Sequence, residues 1–279
     1  MNTTKYVELY SEDLRLKNYA KSSIENYCSQ VALFLADHEK VATKPSEISE
    51  RQIKEWLLKA NTINSRKHRL SAVKLFYKLT GKQPLKFKHI EYPRSEKKLP
   101  IVLSVEEIQK MFNVCTNEKH RVILGLLYSC GLRVSELINL KWKDIDRSRM
   151  IINVIAGKGS KDRQIMLAPT LIPLLEKYYR EYYSKVYVLN GWKDELQYTQ
   201  RSVLEVVKQL ASKAGIDNKR VYTHLIRHCA FTHLAEQGTD IRLIQRIAGH
   251  ANSKTTDLYL HLSHNLISKI NSPINNIKI

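Results

Sequence analysis

Between residues 82 and 100 the chain reads KQPLKFKHIEYPRSEKKLP. Pro84, Pro93 and Pro100 each remove a backbone donor and disfavour helix in the residue before them. No apolar period runs through the segment, and its charges are mostly positive. A chain of 279 residues interrupted in this way does not thread one continuous core through the break. Two folded units are therefore expected: a domain at 1–83, an extended cationic linker at 84–101 and a second domain at 102–279. The chain is 43% hydrophobic, enough to give each unit a core.

The first unit reads as four helices. Tyr6, Val7, Tyr10, Leu14 and Leu16 lie near helical spacing up to a break at Asn18-Tyr19. Ile24, Tyr27, Val31 and Phe34 form the stripe of a second helix, with Ser22 or Ser23 as its N-cap. Pro45-Ser46 opens a third at Ile48–Ala60, with Glu47 and Glu50 in its first turn, where the helix dipole favours acid. The fourth runs Ser65–Leu79 and stops at Gly81.

After Pro100 the helices are more apolar. Ser104 and Glu107 form a capping box for Val105–Val114. Lys119–Cys130 is a nearly unbroken apolar helix. Gly131 ends it, and a new helix starts near Arg133 or Val134. Met150–Ile155 and Arg163–Ala168 read as two strands joined by a Gly157-Lys158-Gly159 turn. Pro169 opens a tyrosine-rich helix to about Tyr183. Val186–Leu189 reads as a short strand, and Tyr198–Ala214 as a helix. Residues 222–263 read as three short helices, and a tail helix surrounds Leu266–Ile270. The fold class is mainly α with a small β-hairpin, an α+β arrangement.

Charge narrows the partner. There are 46 Lys and Arg against 27 Asp and Glu, a formal charge of +19. A strongly basic soluble chain matches a polyanion, above all nucleic acid. Arg51 to Lys98 carries 14 Lys and Arg against 3 Asp and Glu. The fourth helix alternates Arg66, Lys67, Arg69 and Lys74 with apolar residues, as a helix lying along a phosphate backbone would. Double-stranded DNA is the expected partner. The cysteines Cys28, Cys115, Cys130 and Cys229 have no metal-ligand spacing, so a reduced, cytoplasmic setting with nucleoid association fits. No run reaches 18 apolar residues, which gives no transmembrane helix, and the N-terminus lacks a signal-peptide pattern.

Chemistry concentrates in YTHLIRHCAFTHLAEQGTDIRLIQRIAGHANSKTTDLYLHLS, residues 222–263. His224 and Arg227 share a helical face. His250 sits at a glycine break, and Tyr259 lies on the next helix. His228 reads as a structural histidine. Upstream, CGLRVSEL places Arg133 at a helix start, with Glu136 able to hold its guanidinium or cap the helix. GKGSKDR projects Lys158 from a hairpin tip, with Lys161 and Arg163 beside it. Together these suit phosphoryl transfer. Arg133 and Arg227 can clamp the non-bridging oxygens and His250 can donate to them. Tyr259 is the candidate nucleophile, His224 its base and Lys158 the proton donor to the leaving oxygen. No metal ligand set and no cofactor are needed when side-chain cations neutralise the phosphate.

These segments resemble the tyrosine recombinases, the phage-integrase family, and within it the short integrases and Xer-type members. CGLRVSEL is similar to that family's first arginine box, GKGSKDR to its hairpin lysine and HLIRH to its His-x-x-Arg box. GHANSKTTDLYLH is similar to its Gly-His box and nucleophile, with nine residues from His250 to Tyr259. The resemblance spans the chain and implies a helical core-binding domain ahead of a catalytic domain. It further implies attack by Tyr259 to give a 3′-phosphotyrosyl bond and a free 5′ hydroxyl. Four protomers on two synapsed sites would then exchange strands through a Holliday junction. Two other readings stand beside it. A type IB topoisomerase resembles the chain only in its second part, and a DNA-binding protein without catalysis has no use for Tyr259.

Overall fold

Asn2 starts the first helix by accepting the Lys5 N–H on its side-chain oxygen at 3.0 Å. This helix, α1, runs Thr3–Leu16 and ends where Asn18 turns left-handed at φ 60°. The computed structural model describes residues 1–94, 102–155, 162–193, 196–217 and 221–249. The chain divides into two units, Met1–Lys98 and Leu99–Ile279.

In the first unit α2 spans Lys21–Asp37, starting from Ala20 rather than a serine. The expected third helix begins later than its proline. Pro45–Glu47 forms a single 3₁₀ turn, and Ser49 caps α3, Glu50–Leu58, through the Gln52 N–H. Thr62 caps α4, Ile63–Leu79. Helix α4 is central and touches the other three. Its Phe76 and Tyr77 are fully buried, and Phe76 meets Tyr10 edge-on at 5.5 Å. Each such ring removes well over 100 Å² from water, worth about 2 kcal/mol or more.

The segment expected to be an extended linker is folded in part. Pro84–Phe87 makes a 3₁₀ turn, and Phe87 and Ile90 are buried in this unit's core. Lys86 donates to the Ser46 carbonyl at 2.6 Å. Two apolar side chains three residues apart were enough to dock it, despite the prolines.

In the second unit Ser104 and Glu107 cap α5, Val105–Asn113, as their spacing predicts. Helix α6, Glu118–Ser129, is buried from Val122 to Leu127 and contacts most of the helices of the unit. Helix α7 is Val134–Asn139. A three-stranded antiparallel sheet follows: β1 at Ile145–Asp146, β2 at Ile151–Val154 and β3 at Arg163–Met166. The short β1 adds to the expected hairpin, pairing Ile145 with Ile152. Val186–Leu189 is not a strand, although Tyr187 bridges Lys141. Helices α8, Leu171–Tyr182, and α9, Gln200–Lys213, complete the body. Helix α10, Thr223–Glu236, packs on α6 and on α11, Ile241–Ala248. The helix expected around Tyr259, the tail helix and the Gly157–Gly159 turn lie outside the described residues. Among the described residues no helix is long and apolar enough to cross a membrane.

Candidate active site

The site is assembled at the break between α6 and α7. Gly131 adopts φ +55°, and a Cβ there would lie 2.5 Å from the Phe231 ring. Glycine is required on both counts. The break turns Arg133 toward Glu136, and the sequence-expected alternatives both hold. The Arg133 N–H donates to Glu136 Oε2 at 2.7 Å, while its Nη1 donates to Oε1 at 2.7 Å.

Glu136 is also held from β3. Arg163 forks onto it, Nη1 to Oε1 at 2.7 Å and Nη2 to Oε2 at 2.8 Å, and its Nε donates to the Ile247 carbonyl at 2.7 Å. Arg163 was expected to contact DNA; here its guanidinium is spent on Glu136 and Ile247. Its side chain is 6% exposed and its fork is turned inward. The reason is strand alternation: Arg163 shares a strand face with Ile165, which is buried. Burial alone would raise the Glu136 pKa. The Arg163 hydrogen bond, the Arg133 N–H and the Arg163 charge hold it instead at about 2.

Arg227 enters from α10 and is 1% exposed. Its guanidinium lies 4.8 Å over the Phe231 ring and donates to the carbonyls of Gly131 and Ala248. Its Nη1 stands 3.9 Å from Glu136 Oε2. Arg133 Nη2 reaches the Ala248 carbonyl at 3.3 Å and that of Gly249 at 3.1 Å. These carbonyls close the C-terminal end of α11, where Gly249 takes φ +62°. Two arginines far apart in sequence thus converge on one set of oxygen acceptors.

His224 lies on α10 one turn before Arg227 and remains exposed. Its ring meets His228 edge-on at 4.6 Å. Partial burial, then the charges of Arg227 and Arg133, lower its pKa, which favours the neutral imidazole a base requires. Burial, then His224 and Arg227, push His228 down to about 4. His228, one turn after His224, packs against the candidate base. Lys158, Lys161, His250 and Tyr259 lie outside the described residues.

The cations expected on α4 are half-buried. Arg69 stacks 4.8 Å over Trp56 and donates to its carbonyl at 3.1 Å. Lys74 donates to the Ile90 carbonyl at 2.6 Å and lies 4.9 Å over Tyr92. Arg66 and Lys67 lie on the helix's first two turns.

Sequence reasoning missed two parts of this site. The carbonyls of Ala248 and Gly249 carry no side-chain signal at all. The inward turn of Arg163 had one, the R-x-I alternation on β3.

Comparison with known proteins decides the class. Residues 102–265 match the phage integrase family, and residues 7–86 match the phage integrase N-terminal SAM-like domain. The chain belongs to the phage integrase family. It is 32% identical to the tyrosine recombinase XerD of Oceanobacillus iheyensis over 277 residues, covering 92% of this chain and 90% of that one. It is 32% identical to the tyrosine recombinase XerA of Pyrococcus horikoshii over 259 residues, covering 91% and 87%. The crystal structure of XerA recombinase superposes with a TM-score of 0.56 at 29% identity, over 96% of this chain and 97% of that one. A XerH site-specific recombinase bound to a palindromic difH substrate shares the fold, with a TM-score of 0.74 at 21% identity over 95% and 83%. As a family member, the chain is a tyrosine recombinase, an enzyme that breaks and rejoins DNA.

Proposed function

We propose that the chain is a site-specific recombinase of duplex DNA that works through a 3′-phosphotyrosyl intermediate and a Holliday junction. The observation that carries this is the convergence of Arg133 and Arg227 on shared oxygen acceptors, with His224 one turn away on α10. Where carbonyl oxygens now accept, the non-bridging oxygens of a phosphodiester would accept, with stronger, charge-assisted bonds.

Tyr259 attacks the phosphorus, and its phenolic proton passes to His224. The bond to the 5′ oxygen breaks, and Lys158 protonates that oxygen. Arg133, Arg227 and His250 hold the charge that builds on the non-bridging oxygens. The new ester keeps the energy of the old one, so a 5′ hydroxyl from a second duplex reverses the step without ATP. Four protomers on two synapsed sites carry out the exchange.

Affinity for the duplex follows from the charge of +19. Arg66 and Lys67 are the phosphate contacts proposed on α4, with Lys161 beside the hairpin. Arg69 and Lys74 contribute through the N–H groups they do not spend on Trp56 and Ile90.

The test has two stages. The full chain is incubated with fragmented DNA of its source, denatured, and the DNA bound to protein is sequenced. Duplexes carrying two copies of the trapped sequence are then assayed for exchange. Junction intermediates and recombinant products are expected. Multiple-turnover relaxation of plasmids lacking the sequence would favour a topoisomerase, and absence of any adduct would favour a binding protein.

A further inference from the structure

Glu136 is a carboxylate with every direction filled. Oε1 accepts from Arg133 Nη1 and Arg163 Nη1, and Oε2 accepts from the Arg133 N–H and Arg163 Nη2. A carboxylate offers about four lone-pair sites, and all four are used. Arg227 is left outside this set at 3.9 Å, with Nη1 directed to the Gly131 carbonyl. Among the described residues three guanidiniums share this one carboxylate, in a largely buried cluster.

We propose that Arg163 is a positioning residue for DNA cleavage: by hydrogen-bonding both oxygens of Glu136 it keeps that carboxylate from closing on Arg227, which stands 3.9 Å away. Arg227 thereby stays directed at the Gly131 and Ala248 carbonyls, the acceptors whose place the phosphate oxygens would take. This rests on the recombinase reading above.

Arg163 and Arg227 compete for the oxygens of Glu136. Without Arg163 one site on each Glu136 oxygen falls vacant, in surroundings where charges are poorly screened. Arg227 is already near enough to fill one with a small rotation. A guanidinium drawn into a close pair with a buried carboxylate is a weaker donor to a phosphate, and the cluster loses one positive charge. A second contact reinforces the first. Arg163 Nε holds the Ile247 carbonyl, and a Cβ on Gly249 would lie 3.0 Å from Arg163 Cδ. The same side chain therefore fixes the end of α11, whose next carbonyls face Arg133 and Arg227.

The alternative is that Arg163 only stabilises the fold. The two differ in what happens when Glu136 is neutralised. A nicked duplex built on the sequence trapped by the wild-type chain serves as probe, and adduct formation is timed at saturating DNA. Arg163→Met is expected to slow it by about 100-fold, a size typical of losing preorganised charge stabilisation. DNA affinity should change by less than roughly threefold, since this is one group among many backbone contacts.

Arg163→Met/Glu136→Gln should then be faster than Arg163→Met by roughly tenfold, because the competing charge is gone while Gln still accepts the Arg133 N–H. Arg163→Lys should fall between wild type and Arg163→Met. A double variant no faster than Arg163→Met, with both folded by thermal unfolding, overturns the proposal. So does Arg163→Lys no better than Arg163→Met. If Arg163→Met does not fold, Arg163→Lys against Arg163→Lys/Glu136→Gln makes the same comparison. A wild type that forms no adduct refutes the recombinase reading itself and takes this proposal with it.

Discussion

Arg133 and Arg227 share an acceptor: the carbonyl of Ala248, the last residue of α11, takes an N–H from each. The final carbonyls of a helix lack partners within it and carry the negative end of its dipole. The two arginines thus cap α11, and His250 follows directly after its Gly249 cap in sequence. The proposed phosphate clamp and the end of this helix are one unit, which would tie DNA engagement to the position of the α11 terminus.

Removing either arginine should abolish cleavage while leaving most DNA binding, but the two variants should fold differently. Arg133 is 33% exposed, so Arg133→Ala is expected to lose only about 1 kcal/mol of stability but roughly 100-fold or more in adduct rate. Arg227 is 1% exposed, and Arg227→Ala strands the Gly131 carbonyl and empties the space over Phe231. A further loss of roughly 3 kcal/mol is expected there. Chemical denaturation beside a filter-binding assay checks both, and a large affinity loss in Arg133→Ala would contradict the clamp.

Gly131→Ala should damage the same site without touching a charge. Its Cβ would sit 2.5 Å from Phe231 at φ +55°. The Phe231 ring must move, and Arg227 rests on that ring. A destabilisation of about 2 kcal/mol is expected, together with loss of cleavage. Unaltered thermal unfolding would show that the backbone break is not under this constraint.

Acid should remove the stability that Glu136 supplies. Its pKa falls from an ordinary 4.5 to about 2 in the fold. A depressed folded value means the contribution is complete above about pH 4.5 and is lost as pH drops toward 2, a total on the order of 3 kcal/mol. Urea midpoints of wild type and Glu136→Gln should therefore differ most near neutral pH and converge in acid. A constant gap would be inconsistent with a carboxylate held by arginines.

His224 should titrate below its ordinary 6.5, because partial burial, then Arg227 and Arg133, disfavour its charged form. The base would stay neutral at physiological pH, and the cleavage rate would fall only on the acid side of 6.5. NMR titration of the His224 ring in the full chain should give a midpoint under 6.5 that rises in Arg133→Ala. A midpoint at or above 6.5 in the wild type would remove the support for a general base.

Much of this site can be read from the chain, and the unread parts share a cause. Ser104 with Glu107 and the apolar run at Val122–Leu127 announce their helices through local spacing, which the structure keeps. Arg133, Glu136, His224 and Arg227 each belong to a short motif with its own chemistry, and the structure places them at the α6–α7 break and on α10. The charge of Arg163 suggests an outward role, whereas its strand face and Glu136 turn its fork inward. Phe87 and Ile90 docked on the first unit because apolar contact there outweighed a proline-rich, cationic context. The acceptor carbonyls of Gly131, Ala248 and Gly249 depend only on where the backbone goes, and residue identity does not encode that alone.

The central claim is that Tyr259 carries the DNA, and the covalent link itself tests it most directly. Adducts trapped on duplex DNA are digested with nuclease and trypsin, and the modified peptide is identified by mass. The expected peptide contains Tyr259 esterified to a 3′-nucleotide, and Tyr259→Phe yields none. A nucleotide on any other residue, or adduct formation undiminished in Tyr259→Phe, would contradict the account.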